Sequence, residues 1–208
     1  LRDNDKAKMA FAKAVEADPK YAKALKALAD IQRRNRDYGP AVTTYQKAIA
    51  ADPKYTDAYG GLARVKFDTQ DLEGIVPLME KAITADAKYA EGYLFLGNAL
   101  SQLGRQHDAI DPLRRATELD GKNCEAPYRL GEAHYGMGDY RQAVEAGQRA
   151  TRCKKDYPAA AVLLGDAYLK LAQLEDAHTW YGRAVGDSRF KGYATHQLEE
   201  VSRLQKRP

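Results

Sequence analysis

The feature that most constrains this chain is a short mark that returns every 34 residues. Asp18-Pro19-Lys20-Tyr21 comes back as Asp52-Pro53-Lys54-Tyr55 and again as Asp86-Ala87-Lys88-Tyr89. Asp120-Gly121-Lys122-Asn123 and Lys154-Lys155-Asp156-Tyr157 keep the same phase with a looser spelling. A fixed period of this length signals stacked supersecondary units, each too small to bury its apolar face alone and each covered by its neighbours. The whole of 1–208 is therefore expected to be one repeat array rather than two ordinary domains.

Between successive marks lie two helix-length halves. Tyr59, Leu62, Ala63 and Phe67 recur at helical spacing, Asp68-Thr69-Gln70-Asp71 breaks the run, and Leu72, Ile75, Val76, Met79, Ala82 and Ile83 resume it. Asp37, Asp71 and Asp139 share a column and are expected to cap the second helix of each unit. The Asp-Pro pair is expected to end that helix and open the next. The fold class predicted is all-α.

Three kinds of column then line up. Leu-Gly stands at Leu96-Gly97, Leu130-Gly131 and Leu164-Gly165, with Leu28-Ala29 and Leu62-Ala63 before them. Alanine recurs at Ala7, Ala41, Ala109, Ala143 and Ala177, and again at Ala14, Ala48, Ala82, Ala116, Ala150 and Ala184. Between them runs Phe11, Tyr45, Met79, Leu113, Gly147 and Tyr181. This pattern resembles the tetratricopeptide repeat family. The resemblance implies a right-handed superhelical solenoid of antiparallel helix pairs: a half repeat at 1–21, full repeats at 22–55, 56–89, 90–123, 124–157 and 158–191, and a capping helix at 192–208. Small residues would let paired helices approach and the larger column would fill the space between units. Several departures stand out. Gly60-Gly61 interrupts a first helix, Pro77 and Pro112 should bend their helices, and Gly147 should leave the packing around it loose.

Several function classes fall away on composition. The net charge of +4 is spread thinly, with only the N-terminal quarter clearly basic, which argues against a nucleic-acid groove. No apolar run is long enough to cross a bilayer, so direct membrane insertion is not expected. Cys124 and Cys153 are too few for a disulfide framework. They stand toward the same end of one hairpin, which leaves a bridge open, but two free thiols are expected. His107, His134, His178 and His196 show no ligand spacing, no cofactor or metal site is expected, and no catalytic triad, phosphate loop or dinucleotide fingerprint occurs. The chain opens at Leu1 partway through a repeat, which suggests a fragment; a cytoplasmic protein is weakly favoured.

What remains is surface. In tetratricopeptide proteins the first helices line a concave face that commonly takes a peptide. Carried over by column, that face has three stripes here: Lys26, Gly60, Leu94, Tyr128, Val162; Asp30, Arg64, Asn98, Glu132, Asp166; and Arg33, Phe67, Ser101, Tyr135, Leu169. Lys23, Arg34, Phe95 and Arg129 flank them. The peptide-binding residues expected are Lys23, Lys26, Arg33, Arg64, Phe67, Leu94, Asn98, Tyr128, Arg129, Glu132, Tyr135, Val162 and Leu169. The face should begin cationic and turn aromatic, a composition suited to an acidic peptide with an apolar or aromatic anchor. Gly60-Gly61 would let a ligand backbone come close. Lys26 sits where a carboxylate clamp would need it, but Asp30 replaces the Asn of that clamp, so chaperone-tail binding is not expected. The resulting expectation is a non-enzymatic protein-interaction scaffold. The alternatives are a self-associating structural array and the targeting arm of a larger protein.

Overall fold

The computed structural model describes residues 2–206, with side chains from residue 6, so Leu1 and the last two residues of the expected cap lie outside the described residues. Twelve helices and no strand occur among the described residues. They are α1 (Arg2–Ala17), α2 (Ala22–Arg34), α3 (Tyr38–Ala51), α4 (Thr56–Asp68), α5 (Ile75–Ala85) and α6 (Ala90–Gln102). After these come α7 (Gln106–Leu119), α8 (Glu125–Met137), α9 (Tyr140–Cys153), α10 (Pro158–Lys170), α11 (Leu174–Ala184) and α12 (Lys191–Gln205). The chain divides into two compact units, Leu1–Leu103 and Gly104–Pro208. Within each, every helix packs on the next, and first helices also touch one another: α2 on α4, α4 on α6, and α8 on α10.

The alanine columns are where helices meet. Ala41, Ala48 and Ala82 in the first unit, and Ala109, Ala116, Ala143, Ala150, Ala177 and Ala184 in the second, are all buried. The larger column fills between them: Tyr45, Met79, Leu113 and Tyr181 are each fully buried. Gly147 does not leave the expected gap. A Cβ added there would stand 3.0 Å from Leu164, which swings in from α10 and is itself fully buried. Packing is restored by the neighbour.

Two local devices set the period. The first is a left-handed residue just after each first helix: Arg36 (φ 63°), Gln70 (φ 60°), Gly104 (φ 77°), Gly138 (φ 85°) and Ala172 (φ 59°). At four of these the following N–H reaches back to the helix, as in Asp37 N to Gln32 O at 2.9 Å and Gln173 N to Tyr168 O at 2.9 Å. The left-handed residue followed by this reach-back bond is the Schellman ending, and it satisfies carbonyls that the helix leaves free.

The second device is the Asp of the repeated mark. Its carboxylate accepts the N–H two residues on: Lys20 N to Asp18 at 2.9 Å, Lys54 N to Asp52 at 3.0 Å, Lys88 N to Asp86 at 2.8 Å and Lys122 N to Asp120 at 3.0 Å. Each Asp carbonyl also accepts the N–H three on, as in Tyr55 N to Asp52 O at 3.1 Å. Pro53 therefore occupies a turn position whose φ it pre-sets, and α4 starts at Thr56 rather than on the proline.

Three expectations are corrected here. Asp37 and Asp139 do precede α3 and α9, but neither side chain caps the helix. Asp71 instead accepts from Gly74 N at 3.0 Å. Second helices begin at Tyr38, Gln106, Tyr140 and Leu174, all in phase, whereas α5 begins at Ile75, about one turn late. Pro77 thereby falls in the first turn, where its missing N–H costs nothing, and only Pro112 lies inside a helix. Finally, Cys124 and Cys153 are bonded, with Cα atoms 5.4 Å apart, so the expected free thiols are a bridge. It ties the residue before α8 to the last residue of α9.

The left-handed column predicts opposite effects at neighbouring repeats. Gly138→Ala should lose about 1 kcal/mol, while Ala172→Gly should gain about 0.5 kcal/mol by relieving strain. Urea denaturation of both variants checks the pair. Equal shifts in the same direction would contradict the assigned turn.

Candidate functional site

First-helix residues of the first unit are more occupied than their types suggest. Lys26 Nζ lies 2.8 Å from Asp30 and Arg33 Nη1 2.9 Å from Asp68, and Arg64 pairs with Glu91. Lys23 and Arg34 are exposed and have no polar partner among the described residues. The expected cationic opening is therefore mostly neutralised by carboxylates of the same unit. Such half-exposed pairs are worth about 0–1 kcal/mol, so an incoming carboxylate can exchange with them at small cost.

The aromatic part of this unit is preassembled. Phe67 and Phe95 lie with ring centroids 5.8 Å apart, and the Arg64 guanidinium stands 5.2 Å from the Phe95 centroid. Leu94 is 7% exposed and belongs to the packing rather than to an open face. Asn98 follows Phe95 by one turn of α6, so the two share a side. Its Oδ1 is buried and accepts no hydrogen bond among the described residues. A buried amide oxygen without a donor is uncommon and calls for a partner.

Gly60-Gly61 does not offer a gap to a ligand. A Cβ at Gly60 would stand 2.5 Å from the Tyr89 hydroxyl, and one at Gly61 would strike the Tyr45 ring. Both glycines make room for tyrosines of the same chain.

In the second unit the centre is Tyr128. Its ring packs on Tyr157 with centroids 5.1 Å apart, and its hydroxyl donates to Glu132 at 2.6 Å. Burial, then the bond to Glu132, pushes the phenol well above its ordinary value, so it stays protonated and a donor. Arg129 lies over the Tyr128 ring at 5.4 Å and is itself held by Glu132 at 2.9 Å and Glu125 at 3.2 Å. Tyr135 stacks near Tyr140 at 5.4 Å, and Val162 and Leu169 are partly buried against the α10–α12 core. Arg129 and Glu132 thus form one network with Tyr128 rather than separate contacts.

The aspartates of the second stripe have a structural task. The Tyr45 hydroxyl donates to Asp30 at 2.5 Å, and Tyr181 donates to Asp166 at 2.6 Å. Tyr193 of α12 donates to the same Asp166 oxygen at 2.7 Å. Burial raises the Asp166 carboxyl above the ordinary carboxylate range, and the two phenols oppose the rise. Both Tyr–Asp pairs are separated by the same 15 residues. That shared interval was a readable signal, since Arg64 precedes Met79, which has no hydroxyl to donate, by the same step. Tyr157 and Tyr89 were missed because they belong to the turn mark, which reads as punctuation rather than surface.

Among the described residues no cluster of three or more His, Cys, Asp or Glu is placed to hold a metal ion. None of the described helices is long and apolar enough to cross a membrane. The arrangement is a helical-repeat surface of aromatic rings, exchangeable ion pairs and amide oxygens, those of Gln32 and Asn98, that accept no hydrogen bond among the described residues.

The chain belongs to the tetratricopeptide repeat family. Residues 1–56, 32–90 and 128–191 match one form of that repeat, and 90–123 match a second. Similar solved structures share the fold. YrrB, described as a tetratricopeptide protein with an unusual peptide-binding site, has 23% identity and a TM-score of 0.76, covering 91% of this chain and 98% of its own. MamA has 25% identity and a TM-score of 0.72, with 83% and 94% covered. The Cut9–Hcn1 complex of the APC/C has 20% identity and a TM-score of 0.71, with 99% of this chain but 41% of that one covered. No curated protein matches the chain.

The Asp166 anchor makes a direct prediction. Asp166→Ala should lower stability by about 2 kcal/mol, because two tyrosine hydroxyls lose one acceptor. Asp156→Ala, at an exposed position with no polar partner among the described residues, should be near neutral. Urea titration of the two variants decides; equal midpoints would show that the Tyr–Asp contacts carry no stability.

Proposed function

We propose that this chain is a non-enzymatic protein-interaction scaffold whose first-helix stripes take an extended peptide or a partner helix. The ligand is a peptide with carboxylates beside an apolar or aromatic anchor. In the first unit Arg64, Phe67 and Asn98 contact it, with Lys23, Lys26 and Arg33 meeting its carboxylates and Leu94 supporting them from beneath. In the second unit Tyr128, Arg129, Glu132 and Tyr135 form the contact, backed by Val162 and Leu169.

The observation that carries this reading is the Asn98 side chain. Its Oδ1 is buried and without a donor, one helical turn from the Phe95 ring that Arg64 covers. The residue as a whole is only half-buried, so turning the amide toward the face brings an acceptor within reach of a backbone N–H of any peptide sequence, while the adjacent rings bury a side chain. The peptide-binding description of YrrB, a structure of the same fold, agrees with this reading.

Peptides selected from a random library on the 208-residue chain should carry acidic residues next to an aromatic or aliphatic one. In fluorescence polarisation with such a peptide, Asn98→Ala should weaken binding about fivefold or more, and Tyr128→Ala should weaken the second-unit contact comparably. Unchanged affinity in both variants would remove the first-helix stripes as the site.

A further inference from the structure

The late start of α5 has a consequence on the opposite flank of α4. Tyr59, Leu62 and Lys66 point about 130° around that helix from Gly60, Arg64 and Phe67, at 100° per residue. With the first turn of α5 absent, the space between α3 and α5 is left open above them as a cavity of about 330 Å³. Tyr59 and Leu62, 5% and 2% exposed, form its floor, and Ile49 and Leu78 stand on either side. The Tyr59 hydroxyl is turned away, donating to Pro53 O at 3.2 Å, so the floor is apolar. Lys66 and Lys81 mark the rim, and no carboxylate lines it. Lys66 is paired with Asp71, whereas Lys81 is exposed and has no polar partner among the described residues. Gln46, also exposed and with no hydrogen-bond partner among the described residues, completes the edge.

We infer that this groove is a second peptide site, separate from the first-helix stripes, for a short acidic segment with a leucine-like anchor. An apolar floor, a free cation and a lone amide match three parts of such a segment: a branched side chain, a neighbouring carboxylate and a backbone amide. The cavity has room for one or two side chains and not for a long acyl tail, which favours a peptide over a lipid. The charge balance of the rim sets the preference for acidic over basic flanks.

The test titrates the full chain with the fluorescein-labelled peptide Gly-Ser-Glu-Leu-Leu-Glu-Ser-Gly and with a twin in which both Glu are Lys. Methyl NMR on Ile49, Leu62 and Leu78 is read in parallel. The acidic peptide should bind saturably below about 1 mM, shift those three methyls, and bind at least about fivefold more tightly than its basic twin. Lys81→Glu, at an exposed position, should weaken it about fivefold or more, and Leu78→Glu about tenfold. Asn98→Ala should leave the titration of those three methyls unchanged, which separates this site from the one proposed above. No saturable binding, shifts confined to other methyls, or an unchanged affinity in Lys81→Glu would each overturn the assignment.

Discussion

Everything in this protein depends on helices approaching closely at columns of alanine. With only a methyl group at each crossing, backbones come near enough for the larger column to reach across and fill the neighbouring space. Tyr45 and Tyr181 show how far this goes: each is fully buried, yet each delivers its hydroxyl to an aspartate on the first-helix stripe. A polar tip on a buried aromatic demands a partner, and Asp30 and Asp166 supply it. The core and the candidate binding face are therefore chemically joined through single side chains.

The period itself is imposed by backbone geometry at the two turns of each unit. A left-handed residue closes every first helix, and an aspartate turn closes most second helices. Where a device is missing, a local substitute stands in its place. Lys154 breaks the series of turn aspartates, and there the Cys124–Cys153 bridge ties off the end of α9. Its 29-residue separation corresponds to about 3.6 kcal/mol in the chain-entropy picture. Gly147 lacks a filler, and Leu164 enters from α10. Pro77 cannot sit inside a helix without losing a bond, and α5 begins later instead.

Much of this was legible in the sequence because repetition multiplies weak signals. One Asp-Pro-Lys-Tyr means little, but five phases of one period fix the helix count and the buried alanine columns. Less legible was anything decided by contacts between columns. Arg33 and Arg64 read as part of a cationic strip because their partners, Asp68 and Glu91, come from other helices at unrelated spacings, whereas the Lys26–Asp30 pair was readable as an i,i+4 neighbour on α2. Gly60-Gly61 read as an opening because the tyrosines that fill it come from other helices. The left-handed column escaped notice because three of its five members are not glycine. Asn98 stands out by its type alone, and its Oδ1 accepts no hydrogen bond among the described residues.

The close approach at the alanine columns is tested most directly by one pair of substitutions in α3. Ala48 is fully buried at a helix contact, while Ala50, two residues on, is exposed. Urea denaturation should show Ala48→Leu losing about 1–3 kcal/mol through overpacking and Ala50→Leu changing stability by less than about 0.5 kcal/mol. Equal stability of the two variants would mean that the helices do not meet at the alanine column, and the account of the repeat built on it would fail.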